Sequence, residues 1–274
     1  MTEHQTRDQT IQDFDFQWAQ FGSLVEAYTS DLTNSPSMLK DIFDGVLELE
    51  WVAGKEVCEV GCGHGRLVRL MQDYEPRVIY AIEPAPNAAA MARKNLAEFP
   101  NVVFVNKRGD EFTIPKVDLA YSIGVIHHIP EPVPVINNIY DHLKDGGVFV
   151  FWVYGREGNE TYLMLYRMLS FFTKSMNSRL LFWFCGSLAL ATYPYGWLCR
   201  FFPLPLRPYF LNLFSKISLR NRALVIFDQL NPAYAKYYSR EELTDLLAET
   251  KFGNLEKCVH RHGYSWTVLC RKHH

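Results

Sequence analysis

Gly61, Gly63 and Gly65 alternate with Cys62 and His64, directly after the β-rich run Glu56-Val57-Cys58-Glu59-Val60 and before a helical stretch opening at Arg66. Glycine at a strand-to-helix junction lets the chain turn sharply and lets a ligand approach the backbone with no Cβ in the way. Such a loop alone is weak evidence, because dinucleotide-binding chains carry a related GxGxxG. Here the glycines fall at every second position, and Glu59 stands two residues ahead of the first. A carboxylate there repels a pyrophosphate but suits a ligand carrying an ammonium and a sulfonium. Glu83 follows the run Val78–Ile82, where a carboxylate can accept both hydrogen bonds of a ribose diol. Asp110, after Gly109, can take an exocyclic adenine amine. Cys62, Pro84, Glu111, Ser122 and Ile123 adjoin these positions and complete the expected cofactor-binding set. Each has a plainer reading: Glu59 as partner of a helix dipole, Asp110 as an ordinary turn acid, the glycines as turn geometry only.

The elements that must hold these residues alternate. Strand-like runs at 56–60, 78–82, 102–105, 117–122 and 148–153 are separated by helical patterns at 66–72, 87–99 and 133–143. Short alternating units imply a parallel sheet with right-handed crossovers and ligands beyond the carboxyl ends of the strands. Ahead of them, residues 1–52 read as an amphipathic helical cap with a second helix near 37–49. The core spans 53–154 and an insertion 155–238. A C-terminal segment, 239–274, carries a helix opened by Ser239 as N-cap and then a β-hairpin that closes the sheet edge.

With those motifs in place, Val57-Cys58-Glu59-Val60-Gly61-Cys62-Gly63-His64-Gly65 resembles motif I of the class I S-adenosylmethionine (SAM)-dependent methyltransferases, close to the type 11 group. Ile82-Glu83 matches that family's ribose-binding acid and Gly109-Asp110 its adenine-side loop. Asp118–Ser122 with Gly124–Ile129 matches the motif around the fourth strand, and Leu143–Gly147 the LKPGG turn, with Asp145 in place of proline. The likeness is strong over 50–154 and loose over 239–271. It implies a Rossmann-like α/β fold with a mostly parallel seven-stranded sheet in the order 3-2-1-4-5-7-6, SAM as cofactor, and methyl transfer to a small-molecule or lipid-linked acceptor, oxygen slightly favoured. The alternatives are a SAM-binding regulatory or scaffold protein without chemistry and, against the glycine spacing and Glu59, a nicotinamide oxidoreductase.

Methyl transfer from a sulfonium is an in-line displacement that leans on positioning. A base is needed only for a hydroxyl or protonated amine acceptor. His127 and His128 follow the fourth strand and are the candidates, with loop ordering as their plainer role. Asp228, Tyr234 and Tyr237, in a stretch that resembles methyltransferases of bacterial polysaccharide and natural-product clusters, read as acceptor contacts or as a dock for the insertion. Trp18 and Tyr154 join that acceptor set. No metal site is expected.

The insertion breaks the rhythm. From Thr161 through Phe227 there is no Asp or Glu, while Arg167, Lys174, Arg179, Arg200, Arg207, Lys216, Arg220 and Arg222 are present. Leu180 to Cys199 is free of charge and long enough to span a bilayer. Yet the strands on either side should share one sheet, so a single crossing is disfavoured. The segment is read as a lid on the acceptor pocket, as an interfacial element on an anionic membrane through 178–210, or as an oligomer interface. The net charge of −2 gives no general case for nucleic acid. The six cysteines lack a CxxC pair and, with a polar N-terminus, point to a reduced cytoplasmic setting, peripheral to the inner membrane face if the interfacial reading holds. His273 and His274 carry no weight.

Overall fold

The computed structural model describes residues 8–16, 19, 36–173, 176–212, 214–230 and 234–273. Helix α1 covers residues 8–16. Then follow α2 (Pro36–Phe43), β1 (Glu56–Val60), α3 (Arg66–Met71), β2 (Val78–Ile82), α4 (Pro86–Asn95), β3 (Val102–Val105), β4 (Val117–Ile123), α5 (Pro132–Asp141) and β5 (Leu143–Tyr154). The insertion supplies α6 (Glu160–Thr173), α7 (Ser178–Phe201), α8 (Arg207–Asn212) and α9 (Leu219–Leu230), and the chain closes with α10 (Arg240–Ala248), β6 (Lys257–Arg261) and β7 (Ser265–Arg271).

The sheet order is β3-β2-β1-β4-β5-β7-β6. The first five strands run parallel, and β7 pairs antiparallel with both β5 and β6. Residues of alternating parity along each strand feed two apolar layers. Cys58, Phe149 and Phe151 face one side; Val57, Val148 and Val150 face the other. Helices on both faces explain why these strands read as continuous apolar runs.

Element ends follow local chemistry. Helix α2 stops at Phe43, short of the expected 49, because Gly45 takes φ +69°. Helix α10 opens with the reciprocal capping box of Ser239 and Glu242. Lys144–Gly147, expected as a turn ahead of a strand at 148, lies inside β5. Gly146 at φ +75° and a register shift between Val117 and Leu119 absorb the irregularity there.

The two ends of the insertion meet. Gly155 forms a bridge to Tyr238, whose N–H donates to the Tyr154 carbonyl and whose carbonyl accepts from Arg156 N–H. Inside the insertion α7 packs on α9 through Leu181, Cys185 and Phe227, with a smaller cluster of Phe214, Ile217 and Val225. Among the described residues no helix is long and apolar enough to cross a membrane.

Candidate functional site

Beyond the carboxyl ends of β1, β2 and β4 lies a cavity of about 250 Å³, roofed by Thr10, Ile11 and Phe14 of α1. Its floor is the glycine loop. The N–H groups of Gly61 and Cys62 both donate to the Ile82 carbonyl, which pins the loop to the end of β2. Gly61 sits at φ +80°, and a Cβ there would stand 2.5 Å from Val125 Cγ2, so the position admits glycine alone without distortion. Gly65, at φ +88°, answers a packing demand instead: its Cβ would meet Leu96 Cδ1 at 2.5 Å.

Glu83 joins the loop to the cavity wall. One carboxylate oxygen accepts from Gly63 N–H at 2.8 Å and the other from Ala85 N–H at 2.9 Å. The side chain is buried and lines the cavity. Burial pushes its carboxyl up to about 7, against the pull of the Ala85 and Gly63 N–H groups and with a push from Asp15. A carboxylate has lone pairs beyond the two used here, so it can still accept from a diol.

Glu59 takes the plainer of its two roles. It does not line the cavity; its carboxylate is buried, accepts from Tyr121 Oη at 3.0 Å and from the Val68 N–H in the first turn of α3. Gly65 offers α3 no side-chain cap, so Glu59 fills that place from β1. Burial pushes its carboxyl up to about 8, opposed by Tyr121, Arg66 and the Val68 N–H.

The remaining residues sort by position. Gly61, Gly63, Glu83, Pro84, Asp110, Ile123 and His128 reach the lining, whereas Cys62, Gly65, Glu111, Ser122 and His127 do not. Ser122 Oγ donates to the Val60 carbonyl at 2.9 Å and ties β4 to β1. Asp110 is gripped bidentately by Arg108 at 3.0 and 2.6 Å. Arg108, on the lining, had no motif to announce it. The roof residues Thr10, Ile11 and Phe14 had none either, though the expected helical cap brings them. Helix α1 is held by Asp15, whose carboxylate accepts from the Asn87 N–H and side-chain amide at 2.8 Å each, at the uncapped start of α4.

The two histidines part company. His128 edges Phe14 at 5.1 Å between ring centroids. Its Nδ1 lies 2.9 Å from the Tyr234 carbonyl oxygen. That oxygen only accepts, so Nδ1 carries the proton and Nε2 the lone pair of the neutral ring. His127 is fully buried, and neither ring nitrogen has a hydrogen-bond partner. Its ring packs on Tyr154 at 4.1 Å and His128 at 4.2 Å, and burial, then His128, holds it neutral. Tyr154 in turn stacks on Tyr237 at 5.1 Å, which meets Tyr162 of α6 at 6.0 Å. Asp228 lies in α9. Trp18 is outside the described residues.

Residues 58–149 match the model of the methyltransferase domain family. That segment, about a third of the chain, is a methyltransferase domain. Over 117 residues the chain is 26% identical to the tRNA U34 carboxymethyltransferase of Desulfotalea psychrophila, covering 40% of this chain and 36% of the relative. Over 101 residues it is 31% identical to the carboxy-S-adenosyl-L-methionine synthase of Campylobacter lari, covering 35% of this chain and 42% of that one. The matched part thus spans well under half of each curated relative. An O-methyltransferase family protein of Burkholderia thailandensis shares the fold at a TM-score of 0.57 and 12% identity, over 94% of this chain and 62% of the other.

The domain's cofactor is SAM, and the cavity fits it. The floor exposes backbone where a Cβ would clash, and the one acid fixed to that floor, Glu83, faces the space above it. Gly61 and Gly63 would carry the amino-acid end and Glu83 the ribose. Bound there, SAM supplies a methyl group already activated by its sulfonium.

Proposed function

We propose that this methyltransferase moves the methyl group of SAM to an oxygen of a small-molecule or lipid-linked acceptor, with His128 as general base. The observation that carries the reading is the orientation of His128: on the cavity lining, with Nδ1–H bound by the Tyr234 carbonyl and Nε2 as the basic nitrogen. A backbone acceptor that fixes the tautomer is the standard way to present the other nitrogen to a proton. The acceptor hydroxyl would give its proton to Nε2 while its oxygen forms the new bond to carbon. Tyr154 and Tyr237, stacked beside the histidines, would flank the acceptor, and α1 would exclude water from above.

The curated relatives are named for carboxymethyl chemistry. A carboxylate on the transferred carbon asks for a cation beside it. Arg108, the cation on the lining, is taken by Asp110 at 2.6 Å and lies 3.6 Å from both Asp8 and Glu111. That engagement favours a plain methyl group.

The test is release of S-adenosylhomocysteine across a panel of hydroxylated and lipid-linked acceptors, wild type against His128→Asn. The variant is expected to lose about 10²- to 10⁴-fold in kcat, with SAM affinity kept and the acidic limb of the pH–rate profile gone. Full activity in the variant removes the base. Tight SAM binding with no turnover on any acceptor leaves a SAM-binding regulatory protein.

A further inference from the structure

The outer face of α7 is apolar except at Ser187. Leu180, Trp183, Ser187, Leu190, Pro194, Trp197 and Phe201 recur at alternating spacings of three and four, and every one is exposed. The opposite stripe, through Leu181, Cys185 and Ala189, is the one that packs on α9. A helix on a water-facing surface carries polar residues outward; this one shows Trp183 at 74% exposure. At 1.5 Å per residue the stripe is roughly 30 Å long. Helix α6 adds an exposed Met168 and the pair Phe171 and Phe172 at its end.

The charges around it are of one sign. No acid occurs between Thr161 and Phe227, against eight cations. Two of these serve the insertion itself. Buried Arg222 donates to Thr192 Oγ1 at 2.8 Å and lies 3.9 Å over the Tyr193 ring. Arg207 donates to the Cys199 carbonyl at 2.7 Å, at the end of α7. Arg167, Arg200 and Arg220 are exposed.

We propose that this face of α7, in an insertion that exposes Arg167, Arg200 and Arg220, docks flat on an anionic lipid bilayer. An apolar stripe among cations is what an interface of acyl chains and anionic headgroups accepts. A second copy of the chain fits worse, since a two-fold contact sets the same patch, with its exposed Arg200, against itself. A lid over the cofactor fits worse too: among the described residues none of α6 to α9 lines that cavity. Nor does the insertion cross, because its two ends are bridged at Gly155 and Tyr238 and return to neighbouring strands. Docked this way, α6 joins the lipid surface to the Tyr162–Tyr237–Tyr154 stack beside the histidines. The docking itself does not depend on the methyl-transfer reading.

The experiment is co-sedimentation of the full chain with vesicles of phosphatidylcholine alone or with about 30 mol% phosphatidylglycerol, at low and high salt. Wild type is expected to pellet with the anionic vesicles and to come off at high salt. A variant with Trp183→Ser, Trp197→Ser and Phe201→Ser, and another with Arg200→Glu and Arg220→Glu, should each bind at least ~10-fold more weakly. These side chains are exposed, so both variants should melt as wild type does, which confirms folding independently of SAM or activity. The proposal is overturned if wild type ignores anionic vesicles, if either variant pellets like wild type, or if the triple variant instead abolishes a dimer seen by analytical ultracentrifugation while vesicles capture nothing.

Discussion

The sheet with its flanking helices and the inserted helices α6 to α9 are built from similar amounts of apolar sequence, yet they spend it differently. In the sheet, both faces of β1, β4 and β5 are covered, and buried polar groups are tied to named partners: Ser122 to Val60, Glu59 to Tyr121, Glu83 to Gly63. In the insertion, α7 buries one stripe on α9 and leaves Trp183, Trp197 and Phe201 in solvent. The first region is complete as a folded object. The second leaves an apolar stripe uncovered, which the proposed lipid docking would cover. On that proposal apolar surface marks stability in one and recognition in the other.

The comparison breaks first at Glu83. If the site belongs wholly to the satisfied region, Glu83→Ala should weaken SAM binding by about 1.5–3 kcal/mol, as loss of a charge-assisted hydrogen bond does. Part of that loss comes through the loop, since the Gly63 N–H loses its acceptor. Calorimetry giving wild-type affinity would mean the ribose lies elsewhere.

Gly61→Ala tests the floor. Its positive φ and the contact with Val125 should cost roughly 1–3 kcal/mol, read as a lower Tm and weaker SAM binding together. A variant with an unchanged Tm would show that the loop relaxes freely.

The pH dependence has a sign that can be worked out. Burial raises the Glu83 carboxyl to about 7, above the 4.5 it has when unfolded, so the folded chain holds that proton longer. Its contribution to stability is present below pH 4.5 and is lost as pH rises to about 7. Differential scanning calorimetry of wild type and Glu83→Gln should show the wild-type Tm falling relative to the variant over that range. SAM carries positive charge and needs the ionised acid, so its affinity should run the other way. Wild-type affinity should drop about tenfold per pH unit below 7 and stay flat in Glu83→Gln. Parallel pH profiles for the two proteins would exclude Glu83 as the titrating group.

His127 is the exception inside the satisfied region. It is a buried imidazole with no partner, and such a group costs free energy that an apolar ring does not. His127→Phe should fall within about 1 kcal/mol of wild type or be more stable, with kcat kept. A large loss of kcat alone would mean that the buried ring takes part in proton movement. Smallest of all, the triple α7 variant should leave SAM affinity unchanged by calorimetry, because no described residue of α7 lines the cavity.

Much of the sheet was legible because its rules are local. The parallel core and the terminal hairpin follow from alternating runs, a glycine junction and a helix cap, each written within a few residues, whereas the strand order was implied only by the family resemblance. The glycines and Glu83 were legible for the same reason: a sharp bend and a strand-end acid have the same signature wherever they occur. The division of labour among neighbours was not. Glu59 and Glu83 are both acids beside the same loop, and only packing shows that one caps α3 while the other faces the cavity. His127 and His128 are adjacent and chemically identical, and a short 3-10 turn sends one into the core and the other to the lining.

By itself the sequence determined an α/β domain with a basic, apolar insertion, since composition, spacing and periodicity carry that much, and its motifs, through the family they resemble, pointed to SAM. Tertiary structure alone decided which acid and which histidine meet the cavity, that Arg108 and the side chains of Thr10, Ile11 and Phe14 help to enclose it, and which stripe of α7 is left uncovered. Those outcomes depend on which side chains arrive from distant parts of the chain, and burial, charge and hydrogen-bond supply are set by those arrivals rather than by the residues next in line.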